Sequence, residues 1–389
     1  MGTAVRMTVS PVGDLSAVAP AWRALEAEAG ASFFQSWTWV GCLAEERFSD
    51  PVLLQVERGG RVVGLALFNR RRERWGTESL WLHQSGDRAL DSVFIEHNGL
   101  LLTPDSADLL PACLEAVLAG TLPSSRGWRR TLGSRLRLGG VDPRYLLAAE
   151  RVGRVVLSAD SFAPYVDLAA LADAPDAYLS SLSANTRYQI RRSDRCLARV
   201  GPVTTQSAAT VPEALAWFDA LAALHQGYWA QRGEDGAFST PEFLQFHRAL
   251  IGRALPRGEL VLLRMTVGPH VLGYLYNFRL GDRVLNYQSG FDYDLARELA
   301  GPHAKPGLSC HHAAILRARA EGAAQYDFLA GVTRFKSSLA HHRVRVCWFD
   351  VAPRFSVRGA AYRLHSAWQN SPVSATVRRM RSGAAAPAQ

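Results

Sequence analysis

The sequence predicts a mixed α/β (α+β) fold made of two related halves in tandem, each a mostly antiparallel twisted sheet flanked by helices. Three observations predict it. Helical and strand patterns alternate along the 389 residues, with hairpins among the strands, which sets neighbouring strands antiparallel. The stretch VLLQVERGGRVVG at 52–64 returns as VLLRMTVGPHVLG at 261–273, an offset of 209 that matches Val52 to Val261, Leu54 to Leu263, Gly59 to Gly268 and Gly64 to Gly273. Gln-Ser-Gly then follows each copy, at 84–86 and 288–290, an offset of 204. Each copy reads as an apolar run, a glycine turn and a second apolar run, which is the pattern of a hairpin. Two ordered landmarks at nearly one spacing point to an internal duplication.

The elements can be justified in order. A helix near 20–29 carries Trp22 and Leu25 on one face, and the first hairpin and a third strand at 79–87 follow. A second helix near 106–119 has Leu109, Leu110, Cys113, Leu114, Val117 and Leu118 at helical spacing. Residues 121–145 are rich in Arg, Gly and Pro and read as a loop or irregular crossing segment. The second half opens with a helix at 175–200. Helices at 212–231 and 241–254, the second hairpin, a strand at 284–292 and a helix from Leu308 to Glu321 come next. Strand signals return at 325–329 and 344–351, and the basic, then Ala/Pro-rich tail from Val373 reads as frayed. The expected division is 1–160, a non-catalytic scaffold half; 161–352, the half that holds the chemistry; and 353–389, a basic extension.

Composition excludes several classes. Apolar residues make up 48% and charged residues 20%, enough for a large core, and 32 Gly with 19 Pro rule out collagen-like and low-complexity chains. Five scattered cysteines form neither a disulfide framework nor a zinc ribbon, which predicts a reducing compartment. No charged segment precedes an apolar run at the start, and no run is long enough to span a membrane. The expected location is cytoplasmic, with peripheral contact at the inner membrane face left open. The 44 Lys+Arg against 35 Asp+Glu give a net charge of +9, and only Lys305 and Lys336 are lysines. That arginine excess suits phosphates of a cofactor, a nucleic acid or an anionic membrane; codon bias explains it equally well.

Four strings carry more information than composition: LHQGYWAQRG (Leu224–Gly233), NYQSGFD (Asn286–Asp292), KPGLSCHHAAILRARAEGAAQYDFLAG (Lys305–Gly331) and RFKSSLA (Arg334–Ala340). With SANTRYQIRR (Ser183–Arg192), they resemble the acetyltransferase-like family found around bacterial cellulose and exopolysaccharide loci, a branch of the GNAT superfamily. That branch is similar to the aminoacyl transferases of peptidoglycan cross-bridges, which carry two GNAT-like halves. The resemblance covers about 175–345 and reaches the first half only through the hairpin repeat. It implies no tightly bound cofactor. An acyl-CoA or acyl-carrier-protein thioester would be the co-substrate and a small-molecule or lipid-linked amine the acceptor.

Such an enzyme lets the amine attack the thioester directly and supplies positioning, a proton acceptor and charge stabilisation. A thioester's pyrophosphate suits a helix N-terminus, and Lys305, Pro306, Gly307, Leu308 and Ser309 form the candidate. They depart from the superfamily's usual loop of spaced glycines, and equally describe an ordinary helix start. His225 is the candidate base. Tyr287 is the candidate acid for the thiolate, and Lys336 the charge stabiliser. Trp229, one turn beyond His225, and Arg232, Gln288, Ser289, Asp292 and Asp327 are candidate substrate contacts, each with a structural alternative: a helix end, a strand-end turn at Ser289-Gly290, a loop, an arginine partner. Arg187 and Arg191 lie on one helix face, either a solvated basic face or a docking stripe for an acyl carrier protein, a tRNA or a lipid surface. A nucleic-acid partner other than tRNA is not expected. The runs Cys310-His311-His312 and His341-His342 lack metal-ligand spacing, so no metal is predicted. Two other readings stay open: an aminoacyl-tRNA-dependent aminoacyl transferase, and a non-catalytic scaffold of an exopolysaccharide or lipid pathway.

Overall fold

The computed structural model describes residues 4–73, 77–120, 134–174 and 176–369. Within them one series of elements occurs twice. The first series runs β1 (Val5–Pro11), α1 (Ala19–Glu28), α2 (Trp37–Arg47), β2 (Pro51–Arg58), β3 (Arg61–Arg72), β4 (Glu78–Leu82), the short β5 (Leu101–Leu102), α3 (Leu110–Gly120), β6 (Arg135–Val141), α4 (Pro143–Val152) and β7 (Gly153–Asp167). After α5 (Ala177–Ser181) and α6 (Ala184–Ala198), the second series begins with β8 (Val203–Ser207), α7 (Val211–Ala230), α8 (Pro241–Ala254), β9 (Leu260–Val267), β10 (His270–Leu280) and β11 (Arg283–Phe291). It continues through α9 (Tyr293–Ala300), α10 (Pro306–Ala320), β12 (Gln325–Asp327), α11 (Arg334–Leu339) and β13 (His342–Pro353), and α12 (Val357–Gln369) follows.

The strands form one sheet in the order β1-β2-β3-β4-β6-β13-β7-β12-β11-β10-β9-β8, with β5 on β3. Read inward from either edge, the order is the same up to the centre. There each half gives its closing strand to the other: β13 lies between β6 and β7, and β7 between β13 and β12. The β7–β13 ladder runs from Tyr165↔His342 to Gly153↔Pro353. Between named strands only β4–β6 and β11–β12 are parallel. The repeat is also a repeat in register, because Phe68 pairs with Leu82 while Asn277 pairs with Asn286. Those pairs reproduce the offsets of 209 and 204.

One face of the sheet carries an apolar cluster shared by both halves under α1, α2, α7 and α8, in which Phe33 stacks on Phe278 at 4.1 Å between ring centres. The other face holds two separate clusters, one under α3 and α4 and one under α5, α6 and α10. Among the described residues no helix is long and apolar enough to cross a membrane.

Three expectations change. Residues 135–145 are a strand and the start of a helix rather than a loop, since Leu136 and Leu138 alternate inward between the arginines and β6 is sandwiched between β4 and β13. Residues 121–133, and the tail from Val373, lie outside the described residues. The helix expected over 175–200 is two, because Leu182 is extended and Ser183 caps α6 by accepting from the Thr186 N–H. Gln-Ser-Gly at 288–290 stays in strand β11, whereas at 84–86 it leaves the sheet, with Gly86 at φ +77°.

Candidate active site

Strands β11 and β12 pair only over Arg283–Leu285 and Gln325–Asp327. Beyond that point β11 runs on to Phe291, while the other strand turns away through Leu329 at φ +59° and Gly331 at φ +105°. A wedge opens between them, and the β11 edge from Asn286 onward has no β12 residue opposite. Tyr287 is a bulge here, since Tyr276 pairs with Gln288 and Asn277 with Asn286. Gly290 lets helix α7 approach this edge: a Cβ there would lie 2.6 Å from the Leu221 carbonyl oxygen.

At the second half's outer face a groove of about 1050 Å³ collects the starts of α6 and α10, Tyr293 and Arg297, and α11 from Arg334 to Ser338. Two helix N-termini, whose N–H groups favour an anion, therefore flank one groove. No side chain caps α10, and Pro306 at its start sacrifices no helical hydrogen bond. Lys305 Nζ donates to Gln189 Oε1 at 2.7 Å, which holds its charge at the rim. Gly307 permits close approach, because a Cβ would meet Tyr293 Oη at 3.0 Å. Leu308 lines the groove. Ser309 does not, being buried with its hydroxyl 2.8 Å from that of Ser193.

His225 stands on α7 against the wedge. Its Nδ1 donates to the Ser289 carbonyl at 3.0 Å, which assigns the lone pair to Nε2, 3.4 Å from the Ala237 N–H. Burial lowers its pKa below the ordinary 6.5, so the ring is neutral near pH 7. The Trp229 ring lies 6.0 Å away, and Gln288 and Ser289 are partly exposed on the strand. Arg232 turns back on its own helix, donating to the Tyr228 carbonyl and stacking 3.5 Å over that ring. Asp292 caps α9 by accepting from the Leu295 N–H. Arg187 and Arg191 line a separate hollow on α6 with Tyr188 and Arg195, and Arg191 pairs with Asp176.

Tyr287 is not brought to the groove. It is buried in the shared aromatic cluster, where its hydroxyl accepts from the Phe94 N–H at 2.9 Å and donates to the Phe94 carbonyl at 3.2 Å. Burial pushes this phenol well above its ordinary pKa. Asp327 is buried at the vertex of the wedge, 3.1 Å from His97 Nε2 of the first half. Lys336 donates from Nζ to the Leu329 and Ala330 carbonyls at 3.2 and 2.9 Å. Burial lowers its pKa, against the pull of Glu96 and Asp327.

Sequence reasoning missed the first-half segment that supplies Phe94, Glu96 and His97. It falls between a strand and a helix pattern, and nothing local says that it crosses to the other half. Its next residue, Asn98, fills the first half's own wedge between β4 and β6. Asn98 donates from its backbone to Gly140 and from Nδ2 to Gly139 and Leu82, and its Oδ1 lies 2.7 Å from His83 Nδ1. Gly140 is required beneath it, at φ +67° with a would-be Cβ 2.1 Å from the Ile95 carbonyl oxygen. A further cavity of about 440 Å³ between the halves is lined by His97, Asp327, Arg144, Arg283 and Arg345 among others.

Residues 184–337 match the family model of the acetyltransferase (GNAT) domain. Comparison with curated proteins finds no match. Solved structures align over most of the chain, FemX and two others among them. FemX does so with a TM-score of 0.61 and 10% identity, over 92% of this chain and 99% of its own. The C-terminal domain (DUF2156) of a putative lysylphosphatidylglycerol synthetase from Agrobacterium fabrum aligns with a TM-score of 0.52 and 11% identity, over 92% and 97%. A conserved protein of unknown function from Bacteroides thetaiotaomicron follows at 0.51 and 10%, over 89% and 100%. At such identities the likeness is one of fold. The matched span contains the wedge, the α10 N-terminus and α11 as far as Ser337, so the likeness in sequence falls on the second half.

Proposed function

We propose that this chain is an N-acyltransferase that moves an acyl group from an acyl-CoA or acyl-carrier-protein thioester to an amine by direct attack. The observations that carry the reading are the β11–β12 wedge and, on the same half, a groove lined by two helix N-termini, Lys305, Arg297 and Arg334. Donor phosphates suit the groove, and the free edge of β11 suits the amides of a pantetheine arm laid along the wedge. The amine nitrogen attacks the thioester carbon, a C–N bond forms, and the C–S bond breaks. The amine's proton goes to His225 Nε2, the unprotonated nitrogen, which exchanges its long 3.4 Å bond from the Ala237 N–H for the amine. The departing thiolate takes a proton from water, which a thiol of ordinary pKa near 8.5 does readily at neutral pH. That route asks nothing of Tyr287, whose hydroxyl is committed to Phe94. The donor is a co-substrate rather than a resident cofactor. The acceptor is a small-molecule or lipid-linked amine, and the inter-half cavity with Arg283 and Arg345 suits an acidic group on it. An envelope or exopolysaccharide acceptor would place the protein in the cytoplasm at the inner membrane face.

A second reading, an aminoacyl-tRNA donor, is favoured by one observation: Arg187, Arg191 and Arg195 lie together on the helix whose start borders the groove. The deciding experiment is the intact mass of products formed from a panel of acyl-CoAs, acyl carriers and charged tRNAs with amine acceptors. Product from a thioester supports the proposal, and activity abolished by ribonuclease favours the second reading.

Two further results are expected. His225→Gln should lower kcat by about a hundredfold, the usual contribution of a general base. Because burial keeps the His225 pKa below 6.5, wild-type kcat should be flat above that pH and fall on acidification as Nε2 is protonated. The variant should lack this acid limb, and a limb that persists in it would belong to another group. Lys305→Glu should raise KM for acetyl-CoA by about tenfold with little change in kcat, since it reverses a charge on the groove rim away from the reacting atoms.

A further inference from the structure

The loop that forms the second arm of the wedge, Leu329–Gly331, has every one of its first backbone polar groups held by a side chain. Asp327 Oδ1 accepts from the Leu329 N–H at 2.6 Å. Lys336 Nζ donates to the carbonyls of Leu329 and Ala330. Glu96, from the first half, accepts from the Ala330 N–H through Oε2. Gly331 donates to the Phe162 carbonyl and lies 3.2 Å from Ser161 Oγ, both on the strand that the first half contributes to the centre of the sheet. The loop needs such restraint, because Leu329 is a bulky residue at φ +59°, a conformation that persists only where its surroundings over-determine it. Opposite it His97 is also at positive φ, +48°, and is held by Ser32 Oγ on its carbonyl and by Asp327 on its ring. Asp327 thus holds a positive-φ residue from each half.

We propose that Glu96 is a positioning residue of the acyl-transfer wedge, by which the first half holds the Leu329–Gly331 loop, and with it Lys336, in the strained form. The inference rests on the acyltransferase reading of that wedge. The same short segment does two opposite things. Asn98 plugs the first half's own wedge, and Glu96, two residues earlier, braces the second. One cleft is thus closed, and the segment that closes it supports the other. Glu96 suits this work because its carboxyl group is buried beside the Ala330 N–H with His97 and Lys336 nearby, so its partners set its rotamer. The catalytic groups themselves remain in the second half.

The test uses the full-length chain with Glu96→Ala and Glu96→Gln. Hydrogen exchange across 326–333 reads the loop directly, and kcat and KM with acetyl-CoA read its consequence. In Glu96→Ala, exchange of the loop amides should rise at least about tenfold. Its kcat should fall about tenfold or more, with KM for acetyl-CoA changed less than about threefold. Glu96→Gln, whose amide oxygen still accepts from Ala330, should recover most of both losses. Unchanged exchange in Glu96→Ala overturns the proposal, and so does raised exchange with wild-type kcat. A Gln variant as slow as the Ala variant but with wild-type exchange also overturns it, since the charge and not the brace would then matter. A wild-type chain that turns over no thioester sinks the acyl-transfer reading instead, and the exchange comparison still decides whether Glu96 holds the loop.

Discussion

Expressed alone, residues 161–389 should fail to fold, although they contain every candidate catalytic side chain. The cut at 160 severs β7, leaving its last seven residues to cover β12 and half of β13. Strand β13 also loses β6, which pairs with it from Cys347 to Val351, so a strand central to the intact sheet becomes an edge. The shared apolar face suffers more. Phe278 loses Phe33 and Trp39, and Tyr287 loses Phe34, Trp39 and both of its Phe94 hydrogen bonds. Each large side chain stripped of its cover costs about 1.5–3 kcal/mol of burial. A domain's whole stability is only about 5–15 kcal/mol, so a handful of such losses removes it. Far-UV circular dichroism and the cooperativity of thermal unfolding of the fragment, against the full chain, test this. A soluble fragment with a single sharp transition would show that the strand exchange is not needed for stability.

That dependence marks the limit of what the sequence made legible. Hairpin patterns are local, so Val52–Gly64 and Val261–Gly273 could be matched by eye, and their offsets reappear as ladder register. Helix α7 could be placed within a residue or two because its apolar periodicity is long and its N-cap, Thr210, is a residue type that caps helices. Partner choice at the centre of the sheet is not local. Nothing in the alternation of residues 153–167 says that they lie beside 342–353 rather than beside their own half's strand 135–141. The bulge at Tyr287 is equally invisible, and it breaks the two-residue alternation that would place Tyr287 and Ser289 on one face of a regular strand. Glu96 and His97 were unreadable for a different reason: a carboxylate and an imidazole in a turn-rich stretch look like solvated loop until the other half covers them, burying Glu96 and partly burying His97. The groove was more accessible, since an uncapped Pro-Gly helix start beside a rare lysine is a chemical signal as well as a structural one.

Lys336→Met should lower kcat by about 10²–10³, the effect of removing one preorganised donor to a developing oxyanion, while leaving the chain folded. An ammonium has three N–H bonds. Two of them go to the Leu329 and Ala330 carbonyls, and on the proposed reading the third meets the charge that develops in the wedge. Methionine preserves the apolar stem but supplies no donor, so two loop carbonyls lose their partner and Glu96 loses its neighbouring cation. Orphaning those groups costs about 1–3 kcal/mol, which lowers Tm without abolishing folding. Loss of rate must therefore be separated from loss of stability. Leu339→Ala does so, because Leu339 is fully buried on the same helix and its truncation costs about 2–5 kcal/mol without touching the loop carbonyls. Measured below both midpoints, Leu339→Ala should keep near wild-type kcat while Lys336→Met does not. Equal kcat in the two variants would reduce Lys336 to a fastener of the loop and move the stabilisation of the oxyanion to the backbone N–H groups along β11.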